Sequence, residues 1–104
     1  MEFSLVITTV GSRKEAERIG KSLVQSRLAA CVNVFPEVSS FFHWEGKLCR
    51  GKESLLLIKT KNGKIKGIIN KIKLLHSYEV PEIIYLQIAG GERKYLGWMG
   101  KMVK

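Results

Sequence analysis

The chain contains no aspartate. All 9 of its acidic residues are glutamate, set against 18 Lys plus Arg, for a formal net charge of +9. The absence of Asp excludes an aspartic-protease dyad, aspartyl-phosphate chemistry and the Asp-rich calcium loop. A Ser-His-Asp triad is excluded as well, although Glu could stand in for Asp. Histidine is scarce: with only His43 and His76, a zinc site of three His cannot form within one chain. The two cysteines, Cys31 and Cys49, make no CxxC, which removes zinc ribbons and thioredoxin motifs. One disulfide is arithmetically open. The simpler reading is two reduced thiols, with Cys31 buried mid-strand and Cys49 more exposed. No apolar run reaches the ~18 residues of a membrane span, and no basic segment precedes the first apolar run. Neither a transmembrane helix nor a signal peptide is expected, and the default compartment is the cytoplasm. There is no Walker loop, no GxGxxG and no Ser-His-acid spacing, and no nucleophile–base pair is visible. The expectation is a protein that is not an enzyme.

What remains is 104 residues, 45% hydrophobic and 26% charged. That length holds one core, so residues 1–104 read as a single soluble domain. Phe3 to Val10 is a continuous β-branched run, a buried strand ended by Gly11. Ser12-Arg13-Lys14-Glu15 matches a capping box, with Ser12 as N-cap and Glu15 reaching back to its amide. Ala16, Ile19, Leu23 and Val24 then recur at helical spacing, which predicts a helix over Arg13–Ser26. Leu28 to Phe35 is the next apolar run, stopped or bent by Pro36. Val38–Trp44 and Leu48–Thr60 form a long hairpin about Glu45-Gly46-Lys47, with a bulge or break expected at Arg50-Gly51-Lys52. Ile65, Ile68, Ile69, Ile72 and Leu75 predict a helix over Lys64–Leu75. A fourth strand follows over Glu82–Ile88, and a short C-terminal helix over Glu92–Val103.

The order β-α-β-β-α-β, then α, is the α+β ferredoxin-like arrangement, an antiparallel sheet with helices on one face. That topology hosts many functions and names none. Its strands, however, are apolar on both sides, whereas a sheet with one solvated face should alternate. A second subunit or a partner is expected on the other face. The aromatics Phe41, Phe42 and Trp44 beside the hairpin turn fit the same expectation, as contacts with a neighbouring subunit.

Two polar features stand out. No acid occurs between Glu53 and Glu79, while six lysines fall there. This is either a polyanion-binding surface or a solvated helix face. The RNP1-type signature is missing, so sequence-specific nucleic-acid binding is not expected. His76-Ser77-Tyr78-Glu79-Val80-Pro81-Glu82 gathers an imidazole, a phenol and two carboxylates in one helix-to-strand loop. Such a group suits a divalent metal or a small polar ligand, or it simply satisfies backbone amides.

Leu28-Ala29-Ala30-Cys31-Val32-Asn33, Trp44-Glu45-Gly46-Lys47 and His76-Ser77-Tyr78-Glu79-Val80-Pro81-Glu82-Ile83 occur in that order, joined by Leu57-Ile58-Lys59-Thr60 and Tyr95-Leu96-Gly97-Trp98. From Val6 to Trp98 the chain resembles the CutA family, the divalent-cation-tolerance proteins. The resemblance implies a ferredoxin-like fold, a homotrimer with edge strands paired between subunits, and a role in tolerance of copper and other divalent metals, with no catalytic reaction. It implies an inter-subunit cleft lined by Lys59, His76, Tyr78, Glu79 and Glu82, with Trp44 and Glu45 from a neighbour, and His76 and Glu79 as metal donors. Two departures from the family pattern are present. Ser77 replaces the usual Pro, and Thr8 and Thr9 stand where some members carry a Cys on the first strand. Of those proposed copper ligands only the imidazole remains. His76, Tyr78, Glu79 and Glu82 suit an oxygen-dominated site or a small anionic ligand near Lys59. The alternative is a signalling or structural trimer that binds a protein partner without metal chemistry.

Overall fold

In a computed structural model that describes residues 2–104, the chain runs β1 (Phe3–Val10), α1 (Arg13–Gln25), β2 (Cys31–Trp44), β3 (Lys47–Lys61), a single 3-10 turn (Asn62–Lys64), α2 (Ile65–Leu75), β4 (Ile83–Ile88) and α3 (Arg93–Met102). The sheet order is β2-β3-β1-β4, and every adjacent pair is antiparallel. This is the predicted α+β ferredoxin-like arrangement.

Side chains alternate between the two faces of the sheet. The even-numbered residues of β1 and β3 point toward α1 and α2. There Val6, Val10, Leu56 and Ile58 meet Ala16, Ile19, Leu23, Ile68 and Ile72, all fully buried. The amphipathic spacing read in the sequence is thus the contact surface of both helices. Ser12 caps α1 as expected, with its hydroxyl accepting from the Glu15 amide at 3.1 Å. The odd face is covered differently. α3 seals only one end of it, where Met99 and Val103 pack on Phe3 and Ala30. The carboxylate of Glu92 caps α3 by accepting from the amides of Lys94 and Tyr95, and those two bonds hold its carboxyl below the usual carboxylate range.

The rest of the odd face has no cover within the chain. Leu5, Ile7, Leu55 and Leu57 are half-buried, while Phe35, Ile84 and Leu86 stay about half exposed. The two-sided apolar character read in the sequence is therefore real.

The hairpin differs from expectation in one detail that matters. Phe35 pairs with Leu55 but Val38 pairs with Glu53, so β2 carries one extra residue at Pro36–Glu37. The bulge lies there and not at Arg50-Gly51-Lys52, which stay in register. Pro36 lacks an N–H, so the break falls where a ladder bond cannot form. The extra residue reverses the facing of β2 beyond it. Phe42 and Trp44, opposite Cys49 and Lys47, consequently continue the uncovered face, and Phe41, opposite Arg50, takes the other. The pairs from Val38 onward reach past the end of β1 as an arm, which stretches the molecule to 45 Å along one axis. Glu45 and Gly46 turn the arm with φ of +52° and +76°, the mirror-image turn that suits the twist of a two-residue hairpin. Cys31 opens β2 and is half-buried, as is Cys49, so neither thiol has the fully buried setting expected of Cys31.

One core group is out of keeping with its surroundings. The hydroxyl of Thr8 is fully buried beneath the helices and has no hydrogen-bond partner among the described residues. An unmet buried hydroxyl costs about 1–3 kcal/mol. Thr8→Val keeps the branched shape and removes the polar atom. We expect it to raise the unfolding free energy by about 1 kcal/mol or more in urea titrations, and a loss of stability would show that the hydroxyl is satisfied.

Candidate functional site

The loop between α2 and β4 is anchored by its histidine. His76 closes α2, its amide bonded to Ile72 O at 2.8 Å, and its backbone there turns extended. The ring points inward and is buried. Nε2 lies 2.7 Å from the carbonyl of Thr9, to which it must donate, and Nδ1 accepts from the Tyr78 amide at 3.0 Å. This pair of bonds selects the neutral ring protonated at Nε2. Both nitrogens are spent on backbone groups of the same chain.

Glu15 completes the anchor. Its carboxylate accepts from the Ser77 amide at 2.9 Å and the Ser77 hydroxyl at 3.1 Å, and lies 3.7 Å from His76 Nδ1. The capping box is therefore only half formed. Ser12 plays its part, but Glu15 serves the loop and not the Ser12 amide. Tyr78 follows, its ring 4.7 Å from that of His76 and its hydroxyl donating to Glu53 at 3.1 Å. Burial, and then the hydrogen bond and charge of Glu53 with the charge of Glu15 behind them, raise the Tyr78 phenol above its ordinary 10.0. Beside this contact opens a cleft of about 340 Å³ lined by Gly11, Ser12, Arg13, Pro36, Glu37, Lys52, Glu53 and Ser54. It sets two cations against two carboxylates at the root of the arm, a mixed-charge opening that suits a small polar ligand.

The predicted site residues divide accordingly. His76 and Tyr78 are brought together. Glu79 and Glu82 are exposed, and among the described residues no hydrogen bond or ion pair ties them to that network. Lys59 lies toward the other end of the sheet, opposite Leu5, where its ammonium meets the Tyr95 hydroxyl at 3.4 Å and sits over that ring. Trp44 and Glu45 occupy the arm tip. A single chain therefore does not assemble the expected cleft. Nor does it assemble a metal site. Among the described residues no three His, Cys or Glu side chains converge, and His76 has no free lone pair to offer. The donor pair His76 and Glu79 does not fit a metal within one subunit. Sequence reasoning missed Thr9, Glu15 and Glu53. Their partners lie 67, 62 and 25 positions away, and no local spacing reveals such contacts.

Comparison with known proteins is consistent with this fold. Residues 4–102 match the family model of the CutA1 divalent ion tolerance protein. The "Divalent-cation tolerance protein CutA" of Thermus thermophilus is 44% identical over 95 residues, which are 91% of this chain and 92% of that protein. The "Protein CutA, chloroplastic" of Arabidopsis thaliana is 41% identical over 91% of this chain, which spans about half (52%) of that longer protein. The crystal structure of CutA1 from Oryza sativa superposes with a TM-score of 0.97 at 36% identity, covering 100% of this chain and 95% of the other.

The Tyr78–Glu53 contact gives a pH signature. A phenol whose folded-state value is raised keeps its proton longer in the folded protein than in the unfolded chain. Its contribution to stability is complete below pH 10 and is lost as pH rises through the folded-state value. In a ¹³C-tyrosine NMR titration Tyr78 should ionise above pH 10, and Glu53→Gln should move it back toward 10.0 while leaving the part due to burial. An unchanged titration in that variant would show that the carboxylate does not act on the phenol.

Proposed function

The chain belongs to the CutA1 divalent ion tolerance protein family, and from that membership we propose that it works as a homotrimer that binds a divalent metal or small ligand in the clefts between its subunits. The observation that carries this reading is the uncovered odd face of the sheet. Leu5, Ile7, Leu55 and Leu57, with the more exposed Phe35, Ile84 and Leu86, form a continuous apolar surface that water should not be left to cover. The arm adds Phe42 and Trp44 on the same side, with Phe41 on the other. A self-complementary assembly buries all of these at once.

Assembly also supplies what one chain lacks. Glu79 and Glu82 are exposed on the loop, and Glu45 and Trp44 are exposed at the arm tip. Carboxylates from a loop and from a neighbour's arm are hard donors, suited to a modest oxygen-rich site for copper or another divalent cation. In this reading His76 holds the loop in place and the glutamates meet the ligand. No catalytic step is part of the proposal. The cytoplasm is the proposed setting, supported by two free thiols. The full engagement of His76 also favours a second reading, a signalling or structural trimer that binds a protein partner without metal.

Sedimentation equilibrium should give three times the 11.8 kDa chain mass, and a monomer would remove both the trimer and the shared cleft. Isothermal titration with copper(II) should show binding to the wild type that weakens about tenfold or more in Glu79→Gln/Glu82→Gln. Equal binding by both would remove these carboxylates from the site, and no binding by either would favour the partner-protein reading.

A further inference from the structure

The chain's positive charge is not spread evenly, and the helix layer carries a concentrated share of it. Lys14, Arg18 and Lys21 stand at i, i+4 and i+7 on α1, all exposed, opposite the buried stripe of Ala16, Ile19 and Leu23. On α2, Lys66 and Lys73 are exposed at i and i+7, on a flank where Lys66 borders Asn62, Tyr85 and Gln87. The helices lie side by side. The Arg18 guanidinium donates to the carbonyl of Leu75 at 3.0 Å, and Gly67 faces Leu28 just beyond the end of α1. The layer holds only two acids, and both are occupied. Glu17 is paired with Arg13 at 3.0 Å, and Glu15 is bound to Ser77 beside His76. Among the described residues, none of the five exposed cations has a carboxylate partner.

We propose that the outward face of α1 and α2 docks the phosphate backbone of a nucleic-acid duplex without reading its sequence. The spacing agrees with this. Seven residues of helix span about 10 Å, so Lys14, Arg18 and Lys21 place three cations along that length. One strand of a duplex presents a phosphate about every 3.4 Å of axis, so about three phosphates cover the same distance. Lys66 and Lys73 add two further cations on the neighbouring helix. The chemistry of the rest of the face decides against the other polyanions. Neither α1 nor α2 contains an aromatic residue, so there is no platform on which single-stranded bases could stack. Val24 on α1 and Leu74 on α2 are the large apolar side chains exposed on the two helices, too little to anchor the face in a bilayer. The face also lies on the opposite side of the sheet from the apolar surface proposed for assembly, so it stays open in a homotrimer.

The test uses the full-length protein and fluorescein-labelled DNA duplexes of two unrelated sequences, followed by anisotropy from about 50 mM to about 200 mM salt. Both duplexes should bind equally, with log K falling linearly in log salt at a slope of about −4 to −5 for five phosphate contacts. Lys66→Gln/Lys73→Gln should weaken binding by about tenfold at the lower salt and reduce the slope by about 2. The α3 variant Lys94→Gln/Lys101→Gln removes the same net charge from exposed positions on the other side of the sheet and should leave both nearly unchanged. The proposal is overturned by equal losses in the two variants, which would mark net charge alone. It is also overturned by no duplex binding at about 50 mM salt, or by tighter binding to phosphatidylglycerol vesicles than to the duplex.

Discussion

A sheet that is apolar on both faces needs cover on both, and this chain carries cover for one. α1 and α2 bury the even-numbered side chains of β1 and β3 completely, and α3 reaches only the end of the odd face at Phe3. Burial of apolar area is worth about 25 cal/mol per Å², so leaving Leu5, Ile7, Leu55, Leu57, Ile84 and Leu86 partly wet forgoes several kcal/mol. Everything distinctive about the molecule follows from that imbalance. The arm extends the same open face, and the edges of the sheet remain unpaired at β2 and β4.

The His76 network solves a local problem in the same economical way. A loop that leaves a helix and enters an edge strand has backbone groups to satisfy. His76 satisfies two, at Thr9 and Tyr78, and Glu15 satisfies a third at Ser77. The loop is thereby tied to the start of α1 and, through Tyr78 and Glu53, to the base of the arm. Glu79 and Glu82 are left free by that arrangement, because the residues ahead of them take all the internal contacts. A loop built in this way presents carboxylates outward from a fixed frame, as a shared site between subunits requires.

The distribution of charge is the third consequence. Self-repulsion at +9 per chain is tolerable when the cations stand on long side chains over solvent-facing helix surface, away from the faces that must pack. The acids are placed by contrast at structural posts: Glu15 at the loop, Glu53 at Tyr78, Glu92 at the α3 cap and Glu17 beside Arg13. With so few acids available, those employed internally leave Lys14, Arg18, Lys21, Lys66 and Lys73 without carboxylate partners among the described residues.

Much of this was legible in the sequence because it is written in local periodicity. The β-branched run of β1, the 3.6-residue spacing of the two isoleucine- and leucine-bearing helices, the Ser12 cap and the Glu45-Gly46 turn each depend on residues within a few positions of one another, and each appears where expected. The absence of alternation in β1 and β3 was equally readable, and it foretold the open face. Other features depend on pairing between distant segments, and only the tertiary structure decided them. The bulge at Pro36 became visible when β2 met β3, and it determines which aromatics of the arm face which side. Glu15, read as closing a capping box, found a nearer partner in a loop 62 positions away. His76, read as a donor to a ligand, is held by the carbonyl of Thr9 and the amide of Tyr78, because folding brings the end of β1 against the end of α2. Sequence alone determined which groups could be near their neighbours in the chain. Which distant groups they meet is settled by strand register and helix packing, and those meetings consume the lone pairs and charges from which a site would be made.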